Sequence, residues 1–200
     1  MTTPLDLVPA LAASPRFLRG GSHLDGVTLR TLTGNVDHRG CFTEFHSDRW
    51  ELPFAPSQWS LVESKPGTLR GMHLHRRHHE SVWLIQGRVF VGLRDIRPGS
   101  PTEHRSALYE IAGADRTAIY FPRGIIHGWY FPEPSVHIQS VSETYPEYNH
   151  DDNLGCHWSD PALDIPWPGT PTLVAERADA FPSLADLIRE TLKRDPGFRF

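Results

Sequence analysis

The chain has 200 residues, of which 38% are hydrophobic and 22% are charged, which is the size and balance of one folded domain with its own core. Its 20 Lys and Arg against 24 Asp and Glu leave a net charge of −4, so it lacks the basic surplus of proteins that wrap nucleic acid. No apolar run approaches the roughly 20 residues of a membrane span, and Met1 to Pro4 does not begin a signal-peptide pattern. We therefore expect a cytoplasmic protein with no nucleic-acid and no membrane partner.

Proline and glycine divide the chain into short segments. The 18 prolines and 16 glycines are spread along the whole sequence, which favours strands over long helices. Lys65 to Gly67 and Pro98 to Pro101 read as turns, and Gln86-Gly87 predicts a hairpin whose second strand alternates its side chains between two faces. The spacing of these runs is typical of an all-β sandwich or barrel. The predicted strands are 27–32, 41–45, 58–63, 68–75, 81–86, 88–95, 105–111, 116–121 and 136–143.

One helix is predicted near the end of the chain. It begins after Ser183, which is a favourable N-cap with Asp186 three residues further on. Its apolar positions, at helical spacing, are Leu184, Leu187, Ile188 and Leu192. The sequence therefore divides into an N-terminal extension (1–24), a β-barrel (25–170) and a C-terminal helical segment that packs on the barrel (171–200).

Histidine is unusually frequent, and seven of the 12 lie between residues 73 and 137. His73 and His75 are two residues apart, so on a strand both side chains point to one face, roughly 7 Å apart. Glu80 follows closely, and His127 comes from a distant strand. Three imidazoles and a carboxylate form a donor set that suits Fe, Mn, Ni, Zn or Cu.

The spacing of these residues forms two motifs. Five residues separate Gly67 from His73-Leu74-His75, four precede Glu80 and six precede Gly87; later, Pro122-Arg123-Gly124 is followed after two residues by His127. This double pattern resembles the signature motifs of the cupin superfamily, in which the corresponding His, His, Glu and His hold one divalent metal in a small β-barrel. That resemblance implies a metal-dependent enzyme, either an oxygenase or an isomerase. The stretch 76–79 between the ligands is interpreted as a solvated basic tip.

Five further blocks, in order along roughly residues 25 to 170, resemble the dTDP-4-dehydrorhamnose 3,5-epimerase family. They are Asp37-His38-Arg39-Gly40-Cys41-Phe42-Thr43-Glu44, Leu69-Arg70-Gly71-Met72-His73, Asp95-Ile96-Arg97 with Ser100-Pro101-Thr102, Pro122-Arg123-Gly124-Ile125-Ile126-His127-Gly128-Trp129, and Trp158-Ser159-Asp160-Pro161 with Ile165-Pro166-Trp167-Pro168. The resemblance implies an all-β cupin barrel (a double-stranded β-helix or jelly roll) with a short C-terminal helix. It also implies a homodimeric isomerase that acts on a dTDP-4-keto-6-deoxyhexose and requires no cofactor. The two resemblances therefore agree on the fold and differ on the metal.

The family resemblance also implies a role for each matched residue. His73 is the general base that removes the proton α to the C4 ketone of the sugar, and Asp160 is its supporting carboxylate. Arg39 and Arg70 meet the nucleotide diphosphate, as bidentate guanidinium groups can. The implied substrate-binding residues are Arg39, Glu44, Gln58, Arg70, His127 and Gln139.

The chain departs from the family at four positions near this site. His75 replaces Gln, Glu80 replaces Lys, Ser60 replaces Asn, and Gln139 or Ser140 replaces an acid–base Tyr. Loss of the Lys removes a cation suited to an enolate oxygen, and loss of the Tyr favours epimerisation at one carbon rather than two. Glu80 also places a negative charge where enolate charge develops, which opposes the mechanism unless a divalent cation lies between them. Three readings therefore remain open: an epimerase or keto-isomerase, a metal-dependent cupin enzyme, and a non-catalytic sugar-nucleotide binder.

The implied role of Arg70 conflicts with its position on the predicted strand. On an unbroken strand it faces away from His73, because successive side chains alternate between the faces of a sheet. It can serve the same site only if a bulge or loop interrupts the strand between them.

Overall fold

The computed structural model describes residues 16–19, 23–148 and 150–194. Its strands are β1 (Arg16–Arg19), β2 (Thr28–Thr31), β3 (Gly34–Asp37), β4 (Gly40–Thr43), β5 (Gln58–Ser64), β6 (Thr68–Leu74), β7 (Glu80–Gln86), β8 (Arg88–Asp95), β9 (Ser106–Ala112), β10 (Thr117–Phe121), β11 (Ile125–Phe131), β12 (Ser135–Val141), β13 (Leu154–Gly155) and β14 (Leu173–Val174). Its α-helices are α1 (Tyr145–Tyr148), α2 (Glu176–Asp179) and α3 (Leu184–Arg194).

Two sheets face each other across the main core. The larger has the order β1-β9-β8-β11-β6-β13, with β14 added in parallel to β6, and the smaller has the order β2-β10-β7-β12-β5. Val89, Val91 and Leu93 of β8 pack in one cluster with Val82 and Leu84 of β7. The predicted all-β barrel with a C-terminal helix is confirmed, and the alternation predicted for the second strand of the hairpin is present, since Phe90 of β8 packs in a different cluster.

The structure also contains strands that the sequence did not predict. The most important is β11, which lies between β8 and β6 in the larger sheet. All seven of its residues are buried, so it has no alternation of polar and apolar positions to reveal it. β1, from the segment interpreted as an extension, pairs with β9, and β14, from the segment interpreted as helical, pairs with β6.

The C-terminal part of the chain covers the outer face of the larger sheet. Leu184 and Leu187 of α3 pack against Met72 and Ile126 of that face. The predicted N-cap is confirmed, since the Ser183 hydroxyl accepts a hydrogen bond from the backbone N–H of Asp186 at 3.1 Å. None of the helices in the described ranges is long and apolar enough to span a membrane.

Candidate active site

The histidines that are far apart in sequence meet inside the barrel. His127 of β11 lies directly opposite His73 of β6 in the strand register, and their ring centroids are 6.0 Å apart. His75 follows the end of β6, with its ring centroid 4.9 Å from that of His127. Glu80 opens β7 on the facing sheet. Two strands of one sheet and one of the other thus bring all four predicted ligand residues to one place.

A β-bulge in β6 turns Arg70 towards the same site. The pairing of β6 with β11 shifts by one residue between His73 and Gly71, so that Arg70 lies opposite Trp129 on the inner face. Gly71 has a φ of +123°, and a Cβ there would lie 2.7 Å from the Cα of Gly128. Only glycine fits this backbone conformation and close approach. The predicted interruption between Arg70 and His73 is therefore present.

Three of the four residues form a tight group, which we call the imidazole cluster: His75, Glu80 and His127. The Nε2 atoms of His75 and His127 lie 3.2 and 3.1 Å from Oε2 of Glu80. All three side chains are buried, and their ligand atoms lie within 4.8 Å of one another. His73 lies beside the cluster but outside this group.

Backbone carbonyl groups fix the orientation of both imidazoles in the cluster. Nδ1–H of His75 donates to the carbonyl oxygen of Asp152 at 2.6 Å, and Nδ1–H of His127 donates to that of Ile125 at 2.9 Å. Each ring thus directs its Nε2 atom towards Glu80. Oε2 of Glu80 and Nε2 of His127 have no hydrogen-bond partner among the described residues.

This arrangement fits a divalent transition metal. A cation shared by the two imidazole nitrogens and the carboxylate oxygen would give a partner to the buried atoms that lack one, Oε2 of Glu80 and Nε2 of His127. Ligands that bond one ion at about 2.1 Å and at right angles lie about 3 Å apart, which is close to the spacing in the cluster. Burial opposes the charge of Glu80, but His127 and His75 hold the pKa of its carboxyl well below the ordinary value. The donor set is two imidazole nitrogens and one carboxylate oxygen, which iron, manganese, nickel, zinc and copper accept.

The sequence left open whether Gln139 or Ser140 takes the position of the family Tyr, and the orientation of β12 distinguishes the two residues. The amide of Gln139 donates to Oε1 of Glu80, so Gln139 faces the cavity. Ser140 lies on the opposite face, where its hydroxyl bonds that of Ser81 at 2.6 Å. Tyr145 is largely exposed, and its backbone N–H donates to the Gln58 side chain at 2.8 Å. Position 139 therefore carries a carboxamide on the cavity side, where the family resemblance implies a phenol.

His73 lines a cavity of about 300 Å³ together with Arg70 and with apolar side chains of α2 and β14, which include Ala178 and Leu173. The aromatic ring of Phe181 stands edge-on to the imidazole at 6.0 Å. No acidic residue lines this cavity, and the His73 side chain makes no hydrogen bond to any described residue. Arg70 is held by the Ser64 hydroxyl and by a backbone carbonyl, each at 3.0 Å.

His73 is consequently a neutral imidazole. Removal of its ring from water, followed by the charges of His127 and His75, lowers its pKa to about 3.

The structure gives Asp160 a different task from the one the resemblance implied. Its Oδ1 accepts a hydrogen bond from the backbone N–H of Ala162 at 2.8 Å, and its Oδ2 accepts one from Leu184 at 2.7 Å. Asp160 therefore caps two helical turns, and it makes no hydrogen bond to His73. The reason is topological, because its segment covers the outer face of the larger sheet whereas His73 lies on the inner face. This corrects the expectation that Asp160 orients the imidazole.

Arg39 and Glu44 are not brought to the imidazoles within one chain. Arg39 is at the tip of the β3–β4 hairpin, where its side chain is 78% exposed and pairs with Asp37 at 2.6 Å. Glu44 lines a separate polar cavity of about 260 Å³ with Arg30 and Trp50. Gln58, by contrast, lies on the inner face of β5, beside the strand that carries Gln139.

Two buried residues near the site were missed. His78, interpreted from the sequence as part of a solvated tip, is only 1% exposed, and its Nδ1–H donates to the Asp152 carboxylate at 3.0 Å. Asp152 carries no local sequence signal, because its partners lie more than 70 residues away. The position of a distant carboxylate, rather than the polarity of the tip, decides its burial.

His137 is a further buried imidazole that the sequence did not single out. It lies on the inner face of β12 and stacks on Phe131, with ring centroids 5.2 Å apart. Burial, followed by the charge of Arg70, lowers its pKa to about 4, so it is neutral.

Comparison with known proteins gives a consistent family. The profile of the family described as dTDP-4-dehydrorhamnose 3,5-epimerase matches residues 22–186. A Streptomyces niveus protein named dTDP-4-dehydrorhamnose 3-epimerase is 32% identical over 168 residues, which cover 78% of this chain and 79% of that protein. A Sinorhizobium fredii protein named dTDP-4-dehydrorhamnose 3,5-epimerase is 29% identical over 188 residues, covering 84% and 95%.

The fold has the same relatives. The crystal structure of NovW, a 4-keto-6-deoxy sugar epimerase from the novobiocin biosynthetic gene cluster of Streptomyces spheroides, matches with a TM-score of 0.78 and 30% sequence identity. The match covers 94% of this chain and 96% of NovW. Sequence and fold are thus similar to those of sugar epimerases along most of the chain.

Proposed function

Because this chain belongs to the dTDP-4-dehydrorhamnose 3,5-epimerase family, we propose that it is an isomerase that epimerises a dTDP-4-keto-6-deoxy sugar at a carbon next to the ketone. The observation that carries the proposal is the placement of a neutral imidazole, His73, beside Arg70 on the inner face of the barrel. The two side chains join a proton acceptor to an anion-binding group, which this substrate class needs.

In the proposed reaction, His73 accepts the proton from the carbon α to the C4 ketone. The electron pair of the broken C–H bond forms the enolate, whose negative charge rests on the ketone oxygen. We assign the second proton transfer to solvent: water donates a proton to the opposite face of that carbon, which restores the ketone with inverted configuration, and His73 releases its proton to water. Arg70 holds the diphosphate of the nucleotide by paired N–H donors, and Gln58 and Gln139 lie on the facing inner wall.

Epimerisation at a single carbon is favoured. Gln139 stands on the cavity side where the family Tyr is expected, and its amide is engaged with Glu80. A carboxamide cannot donate a proton to an enolate carbon as a phenol can. The Streptomyces niveus relative is named dTDP-4-dehydrorhamnose 3-epimerase, which is consistent with a single site of inversion.

A metal is the second part of the proposal. His75, Glu80 and His127 would hold a divalent transition ion, whereas relatives of this family are not expected to need one. When bound, such an ion supplies the positive charge that stabilises an enolate oxygen, which the missing Lys can no longer supply. His73, outside the ligand group, stays available as the proton acceptor.

Solvent exchange tests the epimerase proposal. We expect the protein, incubated with dTDP-4-keto-6-deoxyglucose in D₂O, to incorporate deuterium at C3 or C5, as read by NMR. His73→Asn should abolish incorporation, and His104→Asn, the same change at an exposed histidine, should leave it intact. Binding of the nucleotide sugar without exchange would favour a non-catalytic binder, and consumption of O₂ would favour an oxygenase; either result rejects the proposal.

Elemental analysis tests the metal separately. Protein purified without chelator should contain close to one equivalent of a transition metal, and Glu80→Gln should lose it. Less than about a tenth of an equivalent in the native protein, after reconstitution with each candidate ion, would reject a ligand set of this kind. This measurement does not depend on turnover.

A second copy of the chain is proposed as the partner. The outer face of the smaller sheet exposes Trp59, Leu61 and Ile85, next to the open edge of β5. An apolar face beside an unpaired strand edge is suited to pairing. Arg39, remote from the imidazoles of its own chain, could meet a nucleotide in the neighbouring copy. A cytoplasmic location stays a prediction.

Light scattering tests the dimer, with Leu61→Glu expected to yield monomers. Mixing subunits then tests Arg39. If each site takes its arginine from the partner, co-expressed Arg39→Ala and His73→Asn chains should regain exchange activity that neither variant has alone. No recovery in mixed dimers would place Arg39 outside the site.

A further inference from the structure

One buried carboxylate organises the loop that joins two residues of the imidazole cluster. Asp152 is 0% exposed. Its side chain accepts hydrogen bonds from the backbone N–H groups of Arg76 at 2.6 Å and Arg77 at 2.9 Å, and from the ring of His78 at 3.0 Å. Its backbone carbonyl accepts the Nδ1–H of His75 at 2.6 Å. A single residue, distant in sequence, therefore holds four consecutive residues.

The contacts of Asp152 matter because residues 76–79 connect two residues of the imidazole cluster. His75 directly follows β6, Glu80 begins β7, and residues 76–79 connect them. The 3.2 Å between Nε2 of His75 and Oε2 of Glu80 therefore depends on the conformation of those four residues. Backbone N–H groups that converge on a buried carboxylate form strong, directional contacts. Asp152 is thus placed to fix the separation of two cluster residues without touching Glu80.

The same contacts show that Asp152 is not a ligand of a second metal. His75, His78 and Asp152 also lie close enough to surround an ion. However, the Asp152 carboxylate already accepts two backbone protons and one ring proton, and the Nδ1 proton of His75 points at its carbonyl. Lone pairs that accept protons are not free for a cation. The group is arranged as a support for the imidazole cluster.

We propose that Asp152 is a positioning residue of the metal site: its carbonyl orients His75, and its carboxylate holds the loop that sets His75 against Glu80. This inference rests on the metal proposed above for the imidazole cluster. Outer residues that orient metal-binding histidines in this way contribute about 10- to 100-fold to metal affinity.

Titration with Co²⁺ alone, followed by visible absorption and calorimetry, tests the proposal on the full chain. Asp152→Asn replaces one acceptor oxygen by a donor that faces the loop, so we expect Co²⁺ affinity to fall about 10- to 100-fold. The matched control is Asp95→Asn, because Asp95 is equally buried and also accepts backbone and side-chain hydrogen bonds, but its carboxylate receives them from Arg97, Ser100 and Thr102 and from none of residues 75–80. It should lower stability and leave Co²⁺ affinity within about twofold.

The outcomes separate the two proposals. Unchanged affinity in Asp152→Asn, or equal losses in both variants, overturns the positioning role. If Asp152→Asn does not fold, His78→Gln, which removes only the ring donor, should weaken Co²⁺ binding in the same direction, and unchanged affinity there overturns the positioning role too.

If the native chain binds no Co²⁺, the metal proposal fails by itself. The role of Asp152 is then decided by the ¹⁵N spectrum of His75, whose Nδ1-protonated form should lose population in Asp152→Asn; an unchanged spectrum overturns it.

Discussion

Two buried polar clusters in this molecule use similar groups and differ in how completely they satisfy one another. In the first, which we call the Asp95 cluster, the Asp95 carboxylate accepts from the backbone N–H and Nε of Arg97, each at 2.9 Å, and from its NH2 group at 2.7 Å. The hydroxyls of Ser100 and Thr102 each donate to it at 2.7 Å. Arg97 also donates to the carbonyl of Asp25 at 2.6 Å. Every donor here has an acceptor.

The imidazole cluster is as deeply buried and is not complete. Nε2 of His127 lies 3.1 Å from Oε2 of Glu80, and neither atom has a hydrogen-bond partner among the described residues. A buried polar group without a partner costs free energy, so a protein keeps one only where something else completes it. The Asp95 cluster therefore stabilises a loop by itself, whereas the imidazole cluster is arranged for a cation or ligand.

The largest expected effect is on stability in the presence of a chelator. Asp95→Asn leaves the buried Arg97 without its counter-charge and should lower the free energy of unfolding by about 3 kcal/mol. Glu80→Gln should lower the free energy of unfolding by less, because Oε2 of Glu80 has no hydrogen-bond partner among the described residues. Urea unfolding followed by circular dichroism measures both. A loss in Glu80→Gln as large as that in Asp95→Asn would show that the two clusters are equally complete, contrary to our interpretation.

Adding metal should increase the contribution of the imidazole cluster to the free energy of unfolding and leave that of the Asp95 cluster unchanged. At about 100 times its dissociation constant, an ion that binds only the folded state adds about 2.7 kcal/mol to the free energy of unfolding. We expect Co²⁺ to stabilise the native chain and Asp95→Asn by the same increment, and to add nothing to Glu80→Gln. Thermal melts with and without Co²⁺ make the measurement. An equal increment in Glu80→Gln would place the bound ion elsewhere.

The sequence predicted the elements of this site better than their connections. The spacing of His73, His75, Glu80 and His127 follows from strand geometry and a motif, and the parity of Arg70 required the bulge that is present. β11 escaped prediction because a strand buried on both faces has no polar positions to set its period. Its histidine was nevertheless found, since the motif does not depend on the strand being recognised.

Contacts made over long sequence separations could not be read from the chain. The burial of His78 depends on Asp152, and the capping role of Asp160 depends on the arrival of α3 at Leu184. In each case a polar side chain is satisfied by a group from another segment of the chain, which leaves no periodic or compositional trace. The family resemblance identified Asp160 as a residue with a role, but the described contacts assign it to helix capping.

A carboxylate introduced beside His73 would give this imidazole a partner of opposite charge, as Arg97 is for Asp95. Ala178 lines the same cavity as His73, so Ala178→Asp introduces a carboxylate there. An opposite charge nearby raises the pKa of an imidazole, and we expect a rise of about 1 unit or more from its value of about 3. NMR titration in chelator measures it, with Ala180→Asp, an exposed position after α2, as the control. Equal pKa values in the two variants would place the Ala178 side chain out of reach of His73.

The smallest expected effect is the pH dependence of the Asp95 cluster. Burial opposes ionisation of Asp95, but the hydrogen bonds from Arg97 and Ser100 outweigh it and hold its pKa below the ordinary value. Asp95 therefore adds stability that is fully present above the unfolded-state pKa of about 3.9 and is lost as the pH falls through the lower folded-state value. The stability difference between the native chain and Asp95→Asn should thus be constant from pH 7 to about pH 5 and should narrow below pH 4. Since the pair is buried, 0.5 M NaCl should leave the difference unchanged, whereas a marked salt dependence would mean that water reaches Asp95 and that the contrast with the imidazole cluster is smaller than the contacts indicate.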